Sequence, residues 1–105
     1  MNKRKMEQLK AAGWKVGNAE DFLGLSKEET VLVEIKVALA ASIRRRRIRR
    51  KLTQGELAKK LKSSQSRVAK MEAADSSVSV DLLLKSLLAL GVSQQGIAKI
   101  LSPVS

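Results

Sequence analysis

The chain has 105 residues, 44% of them apolar, a single Pro and a net charge of +11, which fits one domain with one modest core. It contains no Cys, His or Tyr, so disulfides and thiolate metal sites are excluded, and the commonest general base and metal ligand are missing; no metal or cofactor is expected. The lack of Cys fits a cytoplasmic chain, which is the location expected; no apolar run approaches the ~20 residues of a membrane span, and the basic opening MNKRKMEQLK has no apolar stretch behind it, so it is not read as a signal peptide.

Leu, Lys, Ala, Arg and Glu dominate the composition, without alternating β-branched or aromatic runs, so an all-α protein is predicted. Residues 1–25 read as an N-terminal arm. A short helix fits Arg4 to Ala12. The following segment is interrupted by Gly13, Gly17 and Gly24 and carries the only aromatics, Trp14 and Phe22. Residues 26–105 form the main domain. Ser26 with Glu29 is a capping box, opening a long helix to about Arg50. Leu32, Ile35, Leu39 and Ile43 mark its buried stripe. Arg47 is the next step of that stripe, with Arg46 and Arg50 beside it, so at least one arginine points inward.

Thr53 with Glu56 is a second capping box. It opens a short helix from Gln54 to Leu61 that buries Leu57, Ala58 and Leu61. After a tight turn at Lys62-Ser63, Ser64 caps a third helix from Gln65 to about Ala73. Its spacing separates Val68 and Met71, on the buried side, from Ser66, Arg67 and Lys70. Glu72 falls next to Val68, where an acid needs a partner. Two short helices joined so tightly form a helix-turn-helix, residues 54–73. A fourth helix runs from Ser79 to Leu90 and stops at Gly91. Its leucines make two lines, Leu83, Leu87 and Leu90 beside Leu84 and Leu88. A last helix, Gln94 to Leu101, offers Ile97, Ile100 and Leu101 before Pro103.

The charge is concentrated. Residues 44–70 hold twelve Lys or Arg and one acid, Glu56, while the remaining cations and acids balance. A single basic block of this kind points to a polyanionic partner: DNA, RNA or an anionic membrane. The run RRRRIRRK, residues 44–51, matches nuclear-import and RNA-binding patterns. It is also the end of an amphipathic helix, and its apolar part precedes the charges rather than lying opposite them, unlike a membrane-surface helix. It is read as a phosphate-facing helix end.

The stretch LTQGELAKKLKSSQSRVAKME, residues 52–72, resembles the helix-turn-helix of the lambda-repressor-like, XRE-type family. Thr-Gln opens the second helix, Leu57-Ala58 sits inside it, Ser-Gln-Ser opens the third, and Val68, Met71 and Glu72 take the buried positions. Lys62 stands where glycine is usual in the turn, and Ala73-Ala74 lacks the glycine usual after the third helix. The resemblance implies a five-helix domain whose third helix enters the DNA major groove. Gln65 then suits adenine, Arg67 and Lys70 suit guanine or a phosphate, and Ser66 is short enough to read several bases. Ser64, Thr53 and Gln54 lie at helix starts, where backbone N–H groups favour phosphate; Thr53 serves mainly as a cap, and Gln54 would contact phosphate and brace Gln65. Lys59, Lys60 and Lys62 reach phosphates or simply aid solubility. The family register also points to an ion pair between Arg47 and Glu72, with Arg50 as the alternative partner.

Length and flanking segments are further similar to HigA-type antitoxins, implying a double-stranded DNA operator with palindromic half-sites, a homodimer, and a RelE- or HigB-like toxin as partner. The leucines of the fourth helix, with Ile97, Ile100 and Leu101, are the candidate dimer surface, or else complete the monomer core. Trp14 and Phe22 either anchor a protein partner or fold over the domain. The alternatives are a stand-alone or phage-derived XRE-type regulator without a toxin, and a basic RNA-binding protein. Ser66 and Lys70, four apart, have the spacing of a Ser–Lys dyad, but no oxyanion-binding segment accompanies them, and no enzyme is expected.

Overall fold

A computed structural model describes residues 26–102. The expected arm, with its short helix, Trp14 and Phe22, lies outside the described residues. Among the described residues there are five helices and no strand: α1 Lys27–Arg49, α2 Gln54–Lys60, α3 Gln65–Glu72, α4 Val80–Ala89 and α5 Gln94–Leu101. The all-α architecture is as predicted, and every boundary falls within about two residues of its sequence signal.

The helix starts follow from local chemistry. Ser26 Oγ accepts from the Glu29 N–H at 3.1 Å, and the Glu29 carboxylate accepts from the Ser26 N–H at 3.5 Å. Thr53 and Glu56 form the tighter box, at 3.0 and 2.9 Å. Ser64, Ser79 and Ser93 cap α3, α4 and α5 with their hydroxyls. Each cap satisfies a backbone N–H that has no partner in the first turn.

The helix ends also share one device. After α1, α2, α3 and α4 the chain turns through a left-handed residue: Lys51, Lys62, Ala74 and Gly91, with φ of 58°, 54°, 51° and 92°. In each turn the next N–H reaches back five residues: Leu52 to Arg47 O, Ser63 to Ala58 O, Asp75 to Lys70 O and Val92 to Leu87 O, at 2.8–3.1 Å. This is the Schellman motif. Only one of the four carries the glycine that removes the Cβ penalty. Lys62 and Ala74 adopt this conformation without it.

Helix α1 is the axis of the domain, packed by α3, α4 and α5, while α2 lies on α3. Leu39, Ile43, Leu57, Val68, Met71, Leu83 and Leu87 form the fully buried centre. The predicted stripe of α1 is only partly covered. Leu39 and Ile43 are buried and Ile35 is half-buried, but Leu32 is 48% exposed. The reason is length: 23 residues span about 34 Å, against ~15 Å for α4, so the first turns of α1 extend past the helices that pack on it. Val31, Leu32 and Ile35 there line an open groove with Lys27 and Glu28.

The two leucine lines of α4 behave differently. Leu83, Leu87 and Leu90 are buried, Leu84 is half-buried and Leu88 is exposed. In α5 no residue is fully buried. Ile97 and Ile100 are half-buried and Leu101 is exposed. The monomer core therefore absorbs only part of the apolar surface of these helices.

Candidate nucleic-acid interface

Helix α3 is held by one face and open on the other. Val68 and Met71 are sealed in the core, whereas Gln65, Ser66, Arg67 and Lys70 are all exposed. The 3.6-residue period puts these four on the solvent side of an eight-residue helix. The Ser64 hydroxyl is already engaged: it accepts from the Arg67 N–H at 3.2 Å and shares a hydrogen bond with Ser66 Oγ at 3.2 Å. Ser64 thus shapes the start of α3, and Ser66 is steered towards it rather than towards Lys70. Thr53, likewise, spends its oxygen on the α2 cap.

Glu72 is the acid on the buried side, its side chain 4% exposed against 15% for Arg47. Arg47 Nε donates to Glu72 Oε2 at 2.6 Å and Nη2 to Oε1 at 3.0 Å. The third donor, Nη1, reaches Leu52 O at 2.9 Å. The planar guanidinium is thus matched to a carboxylate on one edge and a carbonyl on the other. The Glu72 hydrogen bond raises the Arg47 pKa further above its ordinary value, outweighing burial, which lowers it. The helix 1 to helix 3 pair is the arrangement expected from the sequence.

Arg50, the alternative partner, does something else. Its Nη2 donates to Leu90 O at 2.7 Å, closing the C-terminus of α4, where carbonyls lack helical partners and a cation is favoured. Arg46 Nε bonds Ser42 Oγ at 3.3 Å. Arg44, Arg45 and Arg49 are exposed. The arginine run is therefore divided between structural contacts and an outward basic surface. Lys59, Lys60 and Lys62 are exposed as well.

Gln54 departs from expectation. Its side-chain amide donates from Nε2 to Glu72 Oε1 at 3.3 Å, and the expected brace to Gln65 is absent from the hydrogen bonds of the described residues. The buried carboxylate is the stronger acceptor, so the amide turns towards it. The sequence pattern pairs Glu72 with an arginine and leaves its remaining lone pairs unassigned. A carboxylate can accept about four hydrogen bonds, and that spare capacity was the available signal. Among the described residues no cluster of three potential metal ligands occurs, and no helix is long and apolar enough to cross a membrane.

Residues 43–93 match a family model described as helix-turn-helix. No curated protein and no solved structure gives a match. The matched segment runs from the buried end of α1 to the cap of α5 and contains every residue of the interface described above. Together with the five-helix architecture, this match agrees with the fold class expected from the sequence, an all-α, lambda-repressor-like helix-turn-helix domain.

Proposed function

We propose that the protein is a sequence-specific repressor that binds double-stranded DNA through α3, as a homodimer on palindromic half-sites. The observation that carries this reading is the shared exposure of Gln65, Ser66, Arg67 and Lys70 on a helix anchored by its opposite face. In the resulting pose Gln65 reads adenine, Arg67 reads guanine, and Ser66 and Lys70 contact a base edge or a phosphate. The basic block from Arg44 to Lys70 supplies the phosphate attraction that brings the protein to DNA. Thr53, Gln54 and Ser64 sit at helix starts facing the backbone.

The dimer is supported by the apolar surface left over on α4 and α5, with Leu88 and Leu101 exposed. Half-sites then lie ~34 Å apart or a multiple of that. Within this class the protein acts as the antitoxin of a HigBA-type pair. It represses its own operon and neutralises a RelE-like toxin, with Trp14 and Phe22 of the arm as anchors for that partner. The second reading, a stand-alone regulator, keeps every DNA contact and drops the toxin. As a DNA-bound repressor it works in the cytoplasm.

A salt-matched gel shift tests the central reading. A duplex carrying the promoter region of the protein's own gene is compared with a structured RNA. Tight, sequence-dependent binding to the duplex is expected. It should weaken steeply with salt, with a slope near −0.9 per phosphate engaged. Preferential binding to the RNA would instead select a basic RNA-binding protein. The toxin is tested separately, by co-purification with the product of an adjacent gene coding for a small basic ribonuclease.

A further inference from the structure

We propose that the Arg47–Glu72 pair is a positioning element of the DNA site, which fixes the Gln54 side chain at the edge of the recognition surface. The proposal rests on the DNA-binding reading above and assigns residues that act on DNA only through Gln54.

The geometry begins with Gln54 itself. It is the first residue of α2 and is only partly buried. A glutamine in such a place ordinarily samples many rotamers, and its amide flips freely between donor and acceptor. Here a hydrogen bond selects one of these arrangements. Nε2 lies 3.3 Å from Glu72 Oε1, and an ionised carboxylate accepts but never donates. The amide nitrogen must therefore face Glu72. Gln54 is left with one N–H and its carbonyl oxygen for an external partner, in a defined direction. A phosphate oxygen suits the N–H.

The anchor is equally well fixed. Both Glu72 oxygens are held by Arg47, and Arg47 is held in turn by Leu52 O. One buried carboxylate thus joins the end of α1, the turn before α2, the start of α2 and the end of α3. Charge explains why the pair is ionic on both sides. An unpaired carboxylate under a phosphate-binding edge would repel the DNA backbone. Arg47 cancels it, so Gln54 receives a strong acceptor without a net negative charge beside the polyanion.

Three variants test this: Arg47→Met with Glu72→Leu, Gln54→Ala, and all three substitutions together. The double replacement leaves net charge unchanged and swaps a buried pair for apolar side chains, which folds tolerate well. Duplex affinity at fixed salt is expected to fall by roughly two- to tenfold, the cost of ordering one released side chain. The triple variant should bind no worse than Gln54→Ala alone, because the pair acts through that residue. Full affinity in the double replacement, or losses that simply multiply in the triple, overturns the proposal.

The free wild-type protein gives a second readout that survives poor folding of any variant. The Gln54 side-chain amide, assigned by Gln54→Ala, should be as rigid as the backbone by heteronuclear relaxation, and the Gln65 amide should be mobile. Equal mobility of the two overturns the proposal. If the protein fails to bind duplex at all while Gln54 is rigid, the DNA-binding reading fails instead.

Discussion

Removing the Glu72 carboxylate should damage stability far more than removing the whole pair. In Glu72→Ala the Arg47 guanidinium keeps only Leu52 O of its three contacts, and Gln54 loses its acceptor. An uncompensated buried charge of this kind costs about 3–5 kcal/mol. Arg47 is 15% exposed and has a long stem that can swing its head towards water, which places the expected loss near the lower end, about 3 kcal/mol. A domain of about 80 residues has roughly 4–12 kcal/mol of stability in all, so this single change removes a quarter or more. The melting temperature should fall by roughly 12–25 °C, at 4–8 °C per kcal/mol for a domain this small. The double replacement Arg47→Met with Glu72→Leu strands no charge and should melt within a few degrees of the wild type or above it. Thermal melts followed by circular dichroism, with urea titrations for the free energies, measure both. If Glu72→Ala lies within about 0.5 kcal/mol of wild type, as a surface change would, or if the double replacement costs as much as the single one, the reasoning about this pair is wrong.

The same packing and hydrogen bonds set the outcome of other substitutions. Ala74→Gly and Lys62→Gly should each stabilise by up to about 1 kcal/mol in urea titrations: the left-handed conformation costs an L-residue about 1–2 kcal/mol, and the added freedom of glycine in the unfolded chain returns part of that. Leu39→Ala should cost about 2–5 kcal/mol, whereas Leu32→Ala should cost about 1 kcal/mol or less, since only the former is enclosed. The Glu56 pKa is lowered, chiefly by the Thr53 backbone N–H and then by its hydroxyl. A lowered folded pKa gives stability that is present above the unfolded value and lost as pH falls through the folded one. Melting temperature should therefore drop as pH falls below about 4, and Glu56→Gln should flatten that drop. On DNA, Arg67→Ala should relax base preference with a loss of about 1–3 kcal/mol, while Lys59→Ala should weaken all sequences alike and lower the salt slope by about 1; competition binding against point-substituted operators separates the two.

How much of this was legible in the sequence depended on whether a feature is local. Helix starts are: Ser26, Thr53 and Ser64 announce them through side-chain geometry within four residues, and all three cap as read. The faces of α3 are local too, since a single helical period separates Val68 and Met71 from Arg67 and Lys70. Burial along α1 is not local. Leu32 and Leu39 look alike in the periodic pattern, and only the lengths of the packing helices decide that one is exposed and the other enclosed. Nor does a glycine-free turn betray its geometry: Lys62 and Ala74 carry no positive-φ signature, and their conformations are imposed by hydrogen bonds reaching back to Ala58 and Lys70.

The arginine run marks the limit most sharply. By composition Arg46, Arg47 and Arg50 are equivalent basic residues, yet the structure gives them three different acceptors: a serine hydroxyl, a buried carboxylate and a helix-terminal carbonyl. Their separation follows from helical phase, because three- and four-residue steps along α1 aim successive guanidinium groups at α3 and at the end of α4. A charge count assigns the whole run to a polyanionic partner. The packing withdraws at least two of these cations into contacts that join α1 to α3 and to α4. Arg47 and Arg50 therefore act through contacts within the domain, and Arg44, Arg45 and Arg49 are left to attract a polyanion. That division predicts opposite salt behaviour for substitutions within one short run: Arg45→Ala should reduce the salt slope of DNA binding, whereas Arg50→Ala should lower the melting temperature through the unsatisfied Leu90 carbonyl and leave the slope nearly unchanged.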